Sequence, residues 1–195
     1  VNNIGAGSNG WATIGDRVRA KRLKQAESLA NLVQGRQTAN PSERIVLVGD
    51  FNAFEFNDGL VDSMNLIQGT PVPDNETAVP GDGVDLVNPN LDNLFDTAPP
   101  SDRYSFSFDG NAQSLDHILV NPSLITDTTA RRVEHPRINS DFPETARNLV
   151  VSSETNVERL ADHDPVVAFF TVAAFSPADL AVTKVDTPDP VAAGS

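Results

Sequence analysis

The sequence has 195 residues, a formal net charge of −13 and a pI of about 4.4. This length allows one domain with a sizeable core, and the acidic balance excludes polyanion binding through a broadly basic surface. Cys is absent, which excludes disulfides, thiolate metal sites and a cysteine nucleophile, and no apolar run is long enough to predict a membrane-spanning helix.

The first predicted element is a helix over residues 16–34, for which Gly35 is a natural stop. Its apolar residues recur at helical spacing and form one face: Leu23, Ala26, Ala30 and Val33. Five basic residues crowd its first half: Arg17, Arg19, Lys21, Arg22 and Lys24. They predict either a solvated helix face or a local phosphate-attracting patch in an otherwise acidic protein.

Residues 44–48, "RIVLV", predict a short, fully buried strand. The segment "GDFNAFEFNDG" follows, with Asp50 and Asn52 on either side of Phe51. Alternate residues of a strand share a face, so Asp50 and Asn52 are expected to project together while Phe51 packs behind them. An acid beside a neutral amide suits a divalent cation and a phosphate oxygen. The alternative is an Asp that only caps a turn.

Residues 57–69 predict a short helix that begins at Asn57. Its inward residues are expected to be Leu60, Met64 and Ile67. Residues 70–100 contain six Pro and predict a long irregular loop, with one helical turn in "NLDNLF".

Residues 103–108 alternate, with aromatic side chains on one face and serines on the other. They predict a hairpin with a strand at residues 114–121, joined by the turn "DGNAQ". A further strand is expected near residues 131–138, and an apolar segment over residues 164–172 predicts another buried strand.

Three of these pieces place acids, an amide or His at the end of a buried strand: "GDFN", "SLDHILV" and "ADHDPVV". Asp116 and His117 point to opposite faces, so one of them serves a given site and His117 is expected to be structural. A carboxylate from elsewhere is the usual partner that orients a His such as His163. Each piece alone is a weak signal, but three converging strand ends predict metal-assisted displacement at phosphorus.

The ordered set "GDFNA", "RYSFSFDG", "SLDHILV" and "DHDPVV" resembles the endonuclease/exonuclease/phosphatase superfamily, and within it the extracellular bacterial nucleases. The resemblance covers about residues 16–175 and implies a DNase I-like, two-sheet α/β sandwich. It also implies divalent-metal-dependent hydrolysis of phosphate esters, with DNA as the leading substrate and RNA as a further one. The implied cofactor is Mg²⁺, with Mn²⁺ or Ca²⁺ as alternatives.

The resemblance also implies a role for each site residue. Asp50 would orient the attacking water near the metal, and Asn52 would donate a hydrogen bond to the phosphate. Asp162 would assist the metal, as a second ligand beside Asp50, or the attacking water. His163 would stabilise phosphate charge or relay a proton, and Asp116 would orient His163.

The sequence departs from the family pattern in two ways. Ala161 stands where the family commonly has Ser. The family's upstream metal-binding Glu, Asn and His have no counterpart before residue 44. Residues 1–175 are therefore expected to be the C-terminal part of the domain, with its N-terminal half as a missing partner.

Residues 176–195 resemble a linker and the first strand of a repeated β-sandwich module found in secreted and surface prokaryotic proteins. This similarity predicts a secreted or cell-surface location. Two alternatives to a nuclease stay open: a lipid-headgroup or small phosphate-ester phosphodiesterase of the same fold, and a non-catalytic surface component that retains it.

Overall fold

The computed structural model describes residues 10–141 and 160–172. These residues form a mixed α/β structure, as predicted, whereas the complete two-sheet sandwich stays a prediction. The expected linker and module over residues 176–195 lie outside the described residues. In the described part, no helix combines the length and apolar character needed to cross a membrane.

The helices are α1 (Ile14–Ala39), α2 (Ser63–Gln68) and α3 (Pro122–Thr126), with short 3-10 helices at Asp74–Glu76, Leu94–Thr97 and Pro100–Asp102. The strands are β1 (Val46–Asp50), β2 (Asp92–Asn93), β3 (Phe106–Phe108), β4 (Asn111–Gln113), β5 (Asp116–Val120), β6 (Thr128–Glu134) and β7 (Val167–Val172). Within the described residues, these strands form three antiparallel sheets: β1–β5–β2, β3–β4 and β6–β7.

Helix α1 presents the predicted apolar face to the core, where all four of its predicted residues are buried. The predicted stop at Gly35 is wrong, because the helix continues to Ala39. Its last turns are held by the irregular loop: Gln37 is buried and donates to the carbonyl of Pro89 at 2.9 Å. These contacts outweigh the low helix propensity of one glycine.

Strand β5 pairs with β1 and β2, so the predicted hairpin between residues 103–108 and 114–121 is wrong. The hairpin that forms joins β3 to β4. Its turn is Asp109–Gly110, and both residues have the positive φ that a two-residue type I′ turn requires. The aspartate–glycine signal therefore marked the correct turn, but the second strand ends before β5 begins.

Strand β1 is exposed on one side, which contradicts the prediction of a fully buried strand. Val46 and Val48 are 44% and 66% exposed, whereas Leu47 packs against the core formed by α1 and α2. Strand β7 departs from its prediction in the same way, with Phe169 and Val172 about half exposed. Among the described residues, the core lies on one face of each of these strands.

Helix α2 begins at Ser63 rather than at the predicted Asn57, and Leu60 is exposed. Met64 and Ile67 are buried, as predicted. The loop that follows is irregular, as expected, and the predicted turn in "NLDNLF" is confirmed as the 3-10 helix Leu94–Thr97.

The segment before β7 is anchored by Asp164, whose side chain is fully buried. The carboxylate accepts hydrogen bonds from the backbone N–H groups of Ile138, Asn139 and Ser140, from the Ser140 hydroxyl and from Arg137 at 3.1 Å. Burial by itself disfavours the charged form, but these donors outweigh it and lower the pKa of Asp164 below its ordinary value.

We expect Asp164→Asn to lower the free energy of unfolding at pH 7 by about 3 kcal/mol, because it breaks a buried ion pair. A lowered pKa in the folded state stabilises the protein above the ordinary value of 3.8, and this contribution is lost as the pH falls through the folded-state pKa. The difference between variant and wild type should therefore shrink below pH 3.8.

Urea unfolding at a series of pH values measures this difference. Asp96→Asn is the matched control, because Asp96 is 78% exposed in its ion pair with Arg103 and should contribute less than about 1 kcal/mol. Equal losses in the two variants would contradict the anchoring role of Asp164.

His135 is buried and neither ring nitrogen has a hydrogen-bond partner in the described part of the chain. Burial and the nearby Arg137 guanidinium lower the pKa of His135. As the pH drops below the ordinary pKa of 6.5, His135 is protonated in the unfolded chain before it is protonated in the folded protein. The free energy of unfolding therefore falls with pH in this range.

We expect His135→Phe to fold normally, because the ring of His135 already packs edge-on against Phe95 with centroids 6.3 Å apart. Between pH 7.5 and pH 5.5, the free energy of unfolding should fall by about 1 kcal/mol less in the variant than in wild type. Urea unfolding at both pH values tests this, and an unchanged pH dependence would show that His135 is accessible to protons in the folded state.

Candidate functional site

The register between β1 and β5 places Asp50 directly opposite Asp116. The segment before β7 adds His163, which also forms an isolated β-bridge with Phe106. Each of Asp50, Asp116 and His163 offers one ligand atom, and these atoms lie within 4.8 Å of one another. The three motifs that lie far apart in the sequence therefore meet at one point.

The Asp116 carboxylate fixes the His163 imidazole. One oxygen of Asp116 lies 2.5 Å from Nδ1 of His163, and the imidazole stacks on Phe106 with ring centroids 4.6 Å apart. A carboxylate at Nδ1 favours the tautomer that carries a proton on that nitrogen and fixes the orientation of the ring. The contact that the family resemblance implies between Asp116 and His163 is thus present.

Ser105 holds the other side of this pair and was not predicted from the sequence. Its fully buried hydroxyl donates to the same Asp116 oxygen at 2.7 Å. It also accepts the backbone N–H groups of Leu115 and Asp116. The alternation of residues 103–108 predicts only that the serines lie opposite the aromatic side chains, and nothing in it indicates that Ser105 contacts Asp116.

Asp50 and Asn52 meet through a turn and not through the pleat of a strand. Strand β1 ends at Asp50, and Asn52 has a φ of +48°. The carboxylate of Asp50 accepts the Asn52 backbone N–H at 2.7 Å and its side-chain amide at 2.9 Å. Arg22 secures the turn by donating to the Asn52 carbonyl at 2.6 Å. Asp50 therefore caps the turn and still contributes an oxygen to the cluster.

His117 belongs to the core behind the site, as predicted. Nε2 lies 2.8 Å from the carbonyl of Ala53, which only accepts, and Nδ1 lies 3.1 Å from the side-chain amide of Asn93. Burial lowers the pKa of His117 and keeps the ring neutral. Phe51 packs behind the turn, edge-on to His117 with ring centroids 5.9 Å apart.

Asp162 is half-buried beside His163. Within the described residues, it does not belong to the group whose ligand atoms lie within 4.8 Å of one another. The predicted pairing of Asp50 with Asp162 as metal ligands therefore stays a prediction, and the carboxylate that faces Asp50 is Asp116. The predicted Asn52 amide is close to the cluster but directed partly at Asp50.

The His163 segment is tied to the rest of the site by Asn139. The side-chain amide of Asn139 donates to the His163 carbonyl at 2.7 Å and accepts the backbone N–H groups of Leu160 and Ala161. The Asp164 backbone N–H donates to the carbonyl of Ser105 at 2.7 Å. The imidazole is therefore positioned by backbone contacts on both sides.

Comparison of the chain with protein-family models finds no match, and neither a curated protein nor a solved structure matches it.

Proposed function

We propose that the cluster of Asp50, Asp116 and His163 is the hydrolytic centre of a divalent-metal-dependent phosphodiesterase, and that its substrate is DNA, with RNA as a further substrate. The observation that carries the proposal is the convergence of these three side chains within 4.8 Å, with Asp116 bonded to His163. An imidazole fixed by one carboxylate, with a second carboxylate beside it, is suited to metal-assisted hydrolysis at phosphorus.

The donor set fits Mg²⁺ or Mn²⁺, which prefer oxygen ligands. Asp50 would hold the cation, and Asp162 is the second oxygen donor that the family resemblance implies. Nδ1 of His163 is already bonded to Asp116, which favours a role for His163 in proton transfer and not in metal binding. A bound cation would lower the pKa of an attacking water and neutralise phosphate charge.

The residues of the chain supply the remaining functions. Asp50 orients the attacking water, and the Asn52 amide retains one N–H for a phosphate oxygen because only one contacts Asp50. Nε2 of His163, the ring nitrogen that does not contact Asp116, would donate a proton or a hydrogen bond to the phosphate. Asp116 keeps the imidazole oriented through its contact with Nδ1.

We further propose that the described residues are the C-terminal part of a DNase I-like sandwich in a secreted or surface protein. The exposed side chains of Val46 and Val48 on one face of β1 support a second layer that packs on this sheet and comes from chain outside the described residues. The proposal therefore concerns the intact protein, in which an upstream half would supply the rest of the site.

The test is nicking of supercoiled plasmid DNA by the intact protein. We expect activity with Mg²⁺ or Mn²⁺ and its loss with a chelator. His163→Ala should lower kcat by about 100- to 10,000-fold, the usual contribution of a general acid or base. His135→Phe is the matched control and should retain activity, because His135 lies outside the cluster.

Full activity of His163→Ala would overturn the site. Hydrolysis of a sphingomyelin headgroup without plasmid nicking would move the substrate to the lipid class. A folded intact protein that hydrolyses neither substrate would favour the non-catalytic alternative.

Ser105→Ala should lower kcat by about tenfold and leave KM unchanged, because Ser105 acts by orienting Asp116 and does not touch substrate. Ser114→Ala is the matched control: its buried hydroxyl has no hydrogen-bond partner in the described residues. A general packing effect would appear equally in both variants, as a loss of thermal stability with no difference in kcat.

A further inference from the structure

Three neighbouring cavities meet at Arg22 on one side of helix α1. Their volumes are about 300, 510 and 470 Å³. We call them together the α1 groove. The smallest is lined by Asp50 and Asn52, the largest by Phe54 and Phe56, and the third by basic side chains of α1. The groove therefore begins at the candidate site and extends away from it.

The basic end of the groove has uncompensated positive charge. Arg17, Lys21 and Arg22 line it, and none of the described residues that line it carries a carboxylate. Elsewhere on α1, basic side chains are paired: Arg19 with Asp16, and Lys24 with Glu27.

In the described ranges, no carboxylate pairs with the side chains of Arg17 or Lys21. These two residues are four apart on a helix, where like charges repel. A bound anion would remove this repulsion.

The other end of the groove is an aromatic surface. The rings of Phe54 and Phe56 are parallel, with centroids 5.0 Å apart, and Phe56 is 57% exposed. Ile14, Val18 and Leu60 extend the apolar lining. Asp58, Arg19 and Arg22 also line this cavity, and the exposed face of Phe56 offers a planar base a surface on which to stack.

We propose that the α1 groove binds an unpaired nucleotide next to the scissile phosphodiester. The base stacks on Phe56, and Arg17 and Lys21 contact the phosphate backbone. Combining stacking faces with nearby cations is how proteins hold single-stranded nucleic acid. The proposal rests on the proposed function for the identity of the neighbouring site, and it selects nucleic acid over a lipid headgroup.

The groove can be tested without hydrolysis. Binding of the protein to a short, labelled single-stranded oligothymidylate is measured by fluorescence anisotropy in EDTA. We expect Phe56→Leu to weaken binding by about tenfold, the loss typical of one base–aromatic stack, and Phe56→Trp to retain it. Phe169→Leu is the matched control, because Phe169 is 45% exposed and lies on β7.

The charge contribution has its own measurement. Lys21→Gln should weaken binding, and the slope of log affinity against log salt should become shallower by about 0.7 for one lost single-strand phosphate contact. An equal number of phosphates in duplex form should bind more weakly than the single strand, because its bases are not free to stack on Phe56.

Three results would contradict the proposed role of the groove. Wild type could fail to bind the oligonucleotide, Phe56→Leu could bind it with the same affinity as Phe169→Leu, or the duplex could bind more tightly than the single strand. Sphingomyelin vesicle binding that depends on Phe56, without oligonucleotide binding, would assign the groove to lipid. If the protein is an active nuclease but substitution of Phe56 or Lys21 does not change its affinity for the oligonucleotide, the proposal for the groove is wrong and the proposed function is unaffected.

Discussion

The site depends on the register of β1 against β5. Pairing Asp50 with Asp116 sets two carboxylates directly opposite each other, an arrangement that costs stability because like charges repel. Each acid has its own donors: the Asn52 amide groups for Asp50, and Ser105 with His163 for Asp116. A slip of one residue would turn Asp116 to the core and expose the neutral, buried imidazole of its neighbour, so core packing and site chemistry specify the same register.

Neighbouring residues on either side of the site have divided roles. Asp116 faces the cluster, whereas His117 faces the core and bonds the Ala53 carbonyl just beyond the Asn52 turn. Near β7, His163 faces the cluster, whereas Asp164 is buried under five donor groups. In both places a buried residue, His117 or Asp164, fixes the backbone next to a residue of the candidate site. The precision of the Asp116–His163 contact therefore comes from buried polar anchors and not from the exposed groups themselves.

Much of this arrangement was predictable where the signal is local. The apolar face of α1 follows from helical periodicity, and the structural role of His117 follows from the alternation of a strand. The meeting of Asp50, Asp116 and His163 is not a local signal: it was expected from the combined motifs and the family resemblance that they carry. The partners of β5 could not be predicted in this way, because they depend on contacts between segments distant in sequence. The Asp109–Gly110 turn specifies only the short hairpin of β3 and β4, whose strands have three residues each. Ser105 was missed for a related reason: its function exists only once β3 lies beside the start of β5.

The overall charge gives the α1 groove its physical importance. A net charge of −13 repels nucleic acid from most of a protein surface, and this repulsion is long-ranged. Arg17, Lys21 and Arg22 form a local exception at the basic end of a groove that also borders Asp50. Repulsion from the acidic surface and attraction to the basic end of the α1 groove have the same effect, since both restrict where a phosphate chain can bind. The acidity of the protein therefore strengthens the orientation of a polyanion towards this groove even as it lowers the affinity for it.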